Sequence, residues 1–350
     1  MNFDIVIIGS GPSGATLARL LDPKFKTAVI DRKTGEGGGW QKACGGLLAP
    51  DAQRALARFA LTLPKKILVD PQIFTVKTFD LKSKLIRHYQ RFYINMDRAG
   101  FDSWLASLVP PEVNIFKGGL CTEIKSVGNG FEVIFDHDGQ KKILKTKYIV
   151  GADGADSAVR KTFFPRKKIR RYTAVQQWFK EENRRPFYAC VFDEENTDCY
   201  SWGISKDGYF IFGGAYPVNG SAKYFENQKE KLKNLGFNFG PALKTEACSV
   251  LRPSKLGDFC TGEENIFLVG EAAGFISASS LEGISGALDS AYFLAEAFNS
   301  SSRVQKTYRR KTFFLRMKFY LKCWKVPFIY RPFFRKLIMK SGLKSIKIKS

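Results

Sequence analysis

The first hydrophobic run along the chain is unbroken: Ile5, Val6, Ile7 and Ile8 follow one another with no polar residue between them. Such a run predicts a parallel strand buried on both faces. The segment Gly9-Ser10-Gly11-Pro12-Ser13-Gly14 comes next. A helical stretch from Ala15 to Leu21 follows, then a second strand, Thr27 to Ile30, that ends at Asp31. A glycine-rich segment, Gly35 to Gly39, is read as a flexible lead into Cys44-Gly45-Gly46. Residues 73–95 read as strands carrying large aromatics, and Arg98 to Leu108 as a helix. From 115 to 150, alternating runs punctuated by Asn129-Gly130 and Asp138-Gly139 predict a small antiparallel set joined by tight turns. Tyr148-Ile149-Val150 then returns as a strand into Gly151-Ala152-Asp153-Gly154. Between 172 and 252 the pattern is mostly strand, Tyr209 to Phe212 included, with one helical stretch near 222–234. Ile266 to Val269 is a further buried strand, and Glu282 to Phe298 a helix. There is no internal repeat, and the elements of one domain interrupt those of another.

Composition narrows the class. With 350 residues, 44% hydrophobic and 25% charged, the chain suits one large or two interlocked folded domains. No uncharged apolar stretch reaches the ~18 residues of a spanning helix. The chain enters a strand-like run at Phe3 without a basic leader, so no secretory signal is expected and the cytoplasm is the expected compartment. Seven cysteines form no CxxC pair, and the two histidines are His88 and His137. No metal site is expected from that set, nor Ser-His-Asp or Cys-His hydrolysis, and reduced thiols fit a cytosolic setting. The net charge of +23 is unevenly spread. Arg303 to Ser350 carries sixteen Lys and Arg and no Asp or Glu, which leaves +7 for everything before it. That count assigns the basicity to a tail and not to the fold.

Candidate chemistry begins at Gly9-x-Gly11-x-x-Gly14. Here Gly9 would permit the tight turn, Gly11 would let the backbone approach a pyrophosphate, and Gly14 would allow close helix–strand packing. The helix start at Pro12–Gly14 would then offer free N–H groups, from Ser13 onward, to the phosphates. Asp31 can accept hydrogen bonds from the adenosine ribose, with Arg32 beside it, and it would repel a 2′-phosphate.

Gly151-Ala152-Asp153-Gly154-Ala155-Asp156-Ser157-Ala158-Val159-Arg160 resembles the GADGxxSxVR signature of the FAD-dependent hydroxylase superfamily. Gly270-Glu271-Ala272-Ala273-Gly274 resembles that superfamily's GDAA segment, whose acid meets ribityl or ribose hydroxyls, with Glu271 in place of the usual Asp. Arg98-Ala99-Gly100-Phe101-Asp102 matches its RxxFD helix start, where Arg98 would contact the cofactor. Within the superfamily the chain resembles the geranylgeranyl reductase family and its CbrA-type branch, from Phe3 to about Ala297. Three features carry that likeness: Cys44-Gly45-Gly46; Tyr200-Ser201-Trp202-Gly203-Ile204-Ser205-Lys206, similar to YxWxFPK; and Gly274-Phe275 with Glu282-Gly283-Ile284, similar to AAGF…GEGI. Ile204-Ser205 in place of Phe-Pro, together with Ala278 and Leu281 where Pro and Gly are common, alters the cavity and leaves the substrate's identity open.

The resemblance implies an α/β fold. A Rossmann-like FAD-binding domain (1–70, 98–170 and 258–300) would be interleaved with an antiparallel-sheet substrate domain (71–97 and 171–257) and followed by a basic helical segment, 301–350. It implies FAD as cofactor, with Gly9, Gly11, Pro12, Ser13, Gly14, Asp31, Arg32, Cys44, Gly45, Gly46, Arg98, Asp153, Gly270, Glu271, Gly283 and Ile284 around it. It also implies reduction of a carbon–carbon double bond in a prenyl or other lipid-like substrate. Tyr200 and Trp202 would wall the cavity, and Cys44 would either donate a proton or only shape the pocket. Lys206 is read as a surface residue or a head-group contact. A flavin monooxygenase or halogenase shares the fold, although the halogenase WxWxIP motif is absent and Gly274 replaces the hydroxylase histidine. A non-catalytic lipid-binding flavoprotein is the other alternative. With a single GxGxxG, electrons are expected from transiently bound NAD(P)H or from a ferredoxin or flavodoxin. The basic aromatic tail has three readings. It could lie on an anionic membrane at the inner face of the cell membrane, cover the substrate domain with solvated charges, or attract nucleic acid, the least favoured because no nucleic-acid motif accompanies it.

Overall fold

The computed structural model describes residues 1–34, 42–181 and 187–348. Gly35 to Gly39 therefore lies outside the described residues. Two sheets build the molecule. The first has a parallel core in the spatial order Asn114–Lys117, Thr27–Asp31, Asn2–Ile8, Gln140–Gly151, Ile266–Leu268. Its first strand is buried on both faces, as the unbroken apolar run predicts. Ile5 and Ile7 pack with Leu17 and Leu294 on one side, and Val6 and Ile8 with Ile149 and Leu268 on the other.

An antiparallel extension, Leu120–Val127 and Gly130–His137, continues from the edge of Gln140–Gly151. Asp138 and Gly139 both take positive φ, 52° and 72°, as a tight two-residue hairpin turn demands. At the other hairpin Val127 pairs with Gly130, so the turn is Gly128-Asn129, one residue earlier than the Asn129-Gly130 signal suggested. Gly128, at φ 56°, takes the left-handed position. Residues 114–117 belong to the parallel core and not to the antiparallel set expected from 115 onward.

The second sheet runs Lys244–Arg252, Arg170–Lys180, Tyr209–Pro217, Tyr200–Lys206, Phe187–Phe192, Ile73–Asp80, Leu85–Asn95. It is antiparallel except where Phe187–Phe192 lies parallel to Ile73–Asp80. The helix Ser221–Lys233 covers one face through Phe225 and Leu232.

The tail is part of the fold, contrary to the reading from charge. The helices Val304–Lys311 and Phe313–Trp324 place Tyr308 in one core cluster and Leu315, Phe319 and Cys323 in the other. The i, i+4, i+8 spacing of the last three gives one apolar face among solvated cations. Tyr308 also donates from its hydroxyl to the Leu268 carbonyl at 2.9 Å. The helix Pro332–Ser341 follows, its buried Arg335 donating to Asp80 Oδ1 at 3.0 Å. Ser345–Ile346 then adds a short strand beside Leu85–Asn95, where only helix was expected. Among the described residues no helix is long and apolar enough to cross a membrane.

Candidate functional site

The chain leaves Asn2–Ile8 toward Thr27–Asp31 on one side and later returns to Gln140–Gly151 on the other. The crevice beyond the carboxyl ends of these strands is a topological switch point, where open α/β sheets bind ligands. The Gly9 N–H donates to the Ile30 carbonyl at 2.7 Å and the Ala152 N–H to the Ile8 carbonyl at 2.8 Å, locking the strand ends together. Gly9 has φ 98°, and a Cβ there would lie 2.7 Å from the Ala152 oxygen. A Cβ on Gly14 would overlap the Gly9 carbonyl oxygen, so the helix Pro12–Leu20 sits on the turn without intervening atoms. A Cβ on Gly11 would meet no described atom within 4 Å, because that position borders the cavity. Among the described residues no side chain caps this helix, which leaves its first N–H groups available to an anion.

Asp31, buried at the end of its strand, accepts from the Ser10 N–H at 3.0 Å and from the Ser10 hydroxyl. Its other oxygen takes the Lys33 N–H at 3.1 Å. Arg98 and Lys33 converge on Asp102 at 3.0 and 2.7 Å. Burial alone would raise the Asp102 carboxyl, but these two cations hold it below the usual carboxylate range. Asp153 Oδ2 accepts the Ala158 N–H at 2.6 Å, while its buried Oδ1 has no hydrogen-bond partner among the described residues. Burial pushes this carboxyl up. Arg160, named in the motif but given no role in the sequence reading, donates to the carbonyls of Ala272 at 3.0 Å and Ala155 at 2.6 Å. It staples the two signature turns to each other. Glu271 accepts the Leu251 N–H at 2.9 Å and pairs with Lys42. Desolvation alone would lower the Lys42 ammonium, and Glu271 reverses the sign and raises it. A second helix, Ile284–Ser300, opens on the same cavity from Gly283 and has no side-chain cap among the described residues.

The far end of the cavity is built by strand alternation. Tyr200, Trp202 and Ile204, spaced by two, share the face that lines it. The Tyr200 hydroxyl donates to the Ser280 carbonyl at 2.6 Å, and Trp202 Nε1 to Gln176 Oε1 at 3.0 Å. Across the neighbouring strands Ala215, Ala174 and Cys248 stand in register, a row of small side chains that leaves the space open. The Cys44 sulfur receives the Gly46 N–H at 3.5 Å and Arg98 Nη1 at 3.6 Å. Opposite, the Tyr93 hydroxyl donates to Glu282 Oε1 at 2.9 Å and the Ser280 hydroxyl to Glu282 Oε2 at 3.0 Å. Burial raises the Glu282 carboxyl above its ordinary range, against the lowering effect of those two donors. A carboxyl whose protonated form is favoured in this way can serve as a proton donor at the wall.

The cavity has a volume of about 360 Å³. Of the residues expected at the site, all line it except Gly14 and Gly270, which pack beneath the turns. Sequence reasoning missed Lys42, Tyr93, Ala174, Ala215 and Cys248 at its walls, and named Glu282 only as part of a motif.

Lys206 is corrected. It is 4% exposed and lies neither at the surface nor on the cavity wall. Its ammonium donates to Asn95 Oδ1 and the Met96 carbonyl, both at 2.6 Å, and to the Gly46 carbonyl at 3.3 Å. It thus ties the Cys-Gly-Gly loop to the second sheet. Burial pushes Lys206 down to about 8 from an ordinary 10.5. Between those values the unfolded chain holds more protons than the folded one, so stability rises with pH across that window. Lys206→Met removes this contribution. The parent's melting temperature relative to the variant's should therefore climb from about pH 8 to about pH 10, and a constant gap in thermal unfolding would contradict the assignment.

No family model matches the chain. Protein CbrA of Escherichia coli O6:H1 is 50% identical over 347 residues, covering 99% of this chain and 95% of that one. CbrA of Shigella sonnei is 49% identical over the same length, covering 99% and 98%. Among solved structures, a geranylgeranyl bacteriochlorophyll reductase-like protein from Thermoplasma acidophilum superposes with TM-score 0.79 at 17% identity, covering 96% of this chain and 90% of its own. PqsL of Pseudomonas aeruginosa, a probable FAD-dependent monooxygenase, gives 0.72 at 14%, covering 98% and 100%. The flavin-dependent halogenase CmlS gives 0.69 at 14%, covering 92% and 63%. A cleft at the switch point, with the whole fold shared among flavin-dependent enzymes and half the residues shared with CbrA across nearly the full length, places this chain in the CbrA family.

Proposed function

We propose that this protein binds FAD and uses it, once reduced, to saturate a carbon–carbon double bond of a prenyl or other lipid-like substrate, as in geranylgeranyl reductases. The observation that carries the reading is continuity: one cavity runs from the glycine turn and Asp31 to an apolar chamber bounded by Tyr200, Trp202 and the Ala215–Ala174–Cys248 row. The residues present suit the cofactor. Two uncapped helix starts favour its phosphates and electron-rich ring edge, Asp31 suits a ribose, and the partnerless Asp153 Oδ1 can take a hydroxyl hydrogen. When bound, FAD supplies a two-electron store whose reduced form gives hydride.

This chain's part is to hold the alkene, exclude water and deliver a proton to the second carbon. The Tyr200–Trp202 wall and the small-residue row make a flat apolar slot suited to isoprene units. Glu282, whose protonated form burial favours and whose carboxyl Tyr93 and Ser280 hold in place, is the acid, and Cys44 borders the same space. The charged groups facing Glu282 are Asp51, which reinforces its protonation, and Lys322, which opposes it. Electrons would come from NAD(P)H or from a ferredoxin or flavodoxin.

The test is anaerobic: reduced holoprotein is mixed with a prenyl alcohol, and flavin reoxidation is followed with product mass. A product two hydrogens heavier than the substrate, with that double bond saturated, is expected. Glu282→Gln should slow reoxidation by at least about 100-fold, and Cys44→Ala by less. The parent rate should fall as pH rises past the raised Glu282 value, and the variant's profile should be flat. No reoxidation by any alkene would reject the reading. Because monooxygenases and a halogenase share the fold, air is the second arm: a flavin C4a-adduct absorbance with oxygen incorporated into product would favour a monooxygenase, whereas slow aerobic reoxidation favours the reductase.

A further inference from the structure

The inner face of the tail is accounted for by the core, but its outer face is not. Of the twenty-four large hydrophobic residues exposed among the described residues, eleven lie between Phe313 and Ile348. Phe314 is 81% exposed, Phe333 67% and Trp324 62%. They are not stray positions. In the helix Pro332–Ser341, Arg335 and Met339 face inward while Phe333 and Leu337, four apart, face out beside Lys336 and Lys340. Phe333 and Phe328 both pack on Phe334, with ring centroids 5.5 and 5.3 Å apart. Lys325, Arg331 and Lys344 are exposed around the same surface, and no acidic residue occurs from Arg303 onward to balance them.

This face adjoins the cavity. Lys318 and Lys322 of the helix Phe313–Trp324 pair with Asp51 at 3.6 and 3.4 Å. The Tyr330 hydroxyl donates to the Ser279 carbonyl at 2.8 Å. Asp51 and the neighbouring residues Ser280, Leu281 and Glu282 all line the cavity.

We propose that the outer face of residues 313–344 docks on an anionic phospholipid bilayer, its aromatic and aliphatic side chains entering the interface and its Lys and Arg meeting the headgroups. An acidic protein partner would satisfy the cations but leave protruding Phe314, Trp324 and Phe333 in water. A nucleic acid would do the same for the aliphatic Leu321, Leu337 and Leu343, which have no base to stack on. A bilayer serves both chemistries at once. Docking brings the Asp51–Glu282 rim close to the membrane surface, where a lipid substrate of the kind proposed above would be held. The docking itself requires no flavin chemistry.

The test is vesicle flotation of the full-length, flavin-loaded protein in its oxidised state without substrate. Vesicles of phosphatidylcholine alone are compared with vesicles containing roughly one-third phosphatidylglycerol. Flotation with the anionic vesicles at low ionic strength, weakened at high ionic strength, is expected. The triple variant Phe314→Ser/Trp324→Ser/Phe333→Ser should partition at least about tenfold less while keeping its flavin absorbance and melting temperature, since none of the three side chains is buried. Brominated lipid should quench parent fluorescence more than that of Trp324→Phe. Failure to float with anionic vesicles at low salt, or flotation unchanged in the triple variant, would overturn the proposal. So would binding to a DNA duplex that the triple variant loses while its vesicle partition is unaltered. Since flotation reads binding alone, a non-docking protein could still be a reductase, and a docking protein inert toward alkenes would fail only the reductase reading.

Discussion

Gly14→Ala is expected to yield a protein that purifies without colour and takes up FAD at least about 100-fold more weakly than the parent. The added methyl would overlap the Gly9 carbonyl oxygen and press on the Ala152 side chain at 3.3 Å. Neither can give way. Gly9 is held at φ 98° with its own Cβ direction closed by Ala152, and the strand ends on both sides are joined by backbone hydrogen bonds. The helix Pro12–Leu20 must therefore back away from the turn, and its N–H groups leave the place where the phosphates would be gripped. Gly11→Ala is the partner experiment. Its methyl enters open space, so folding should be untouched, yet it stands where a pyrophosphate needs bare backbone. The pair separates collapse of the turn from obstruction of the ligand: circular dichroism reports the fold and FAD titration the affinity. Parent-like affinity in both variants would remove the glycine turn from cofactor binding.

Those glycines were legible in the sequence because each answers a local steric demand that no other residue meets, and the demand comes at fixed spacing. The same holds for the apolar run Ile5–Ile8, whose lack of polar residues required two covered faces. What escaped was set by contacts distant along the chain. The Tyr93–Glu282 bond joins residues 189 apart, and the Lys42–Glu271 pair residues 229 apart. Ala174, Ala215 and Cys248 become one row only through strand register, and singly each is an ordinary small residue. Lys206 misled because lysine is seldom fully buried without a compensating partner. Here two carbonyls and an amide oxygen replace water. The tail misled for the opposite reason: its net charge drowned the i, i+4 spacing of Leu315, Phe319 and Cys323 that roots it in the core.

That row of small residues carries the second large effect. Ala174→Leu is expected to leave flavin content intact and to abolish turnover of long isoprenoid substrates, by at least about 100-fold in kcat/KM. Ala174 is buried at the centre of the row, between Ala215 and Cys248, and lines the cavity there. Three added carbons have open cavity to occupy, so the cost in stability should stay within about 1–3 kcal/mol. The same carbons take the space an isoprene unit would need beside Trp202. A short alkene that reaches only the entrance of the chamber should retain much of its rate, so the ratio of long to short substrate turnover is the sharper measurement. Ala215→Leu, one strand over, should reproduce the pattern because the two side chains share one hollow. If Ala174→Leu turned over long and short alkenes as the parent does, the chamber would not be where the substrate lies, whatever the cofactor beside it.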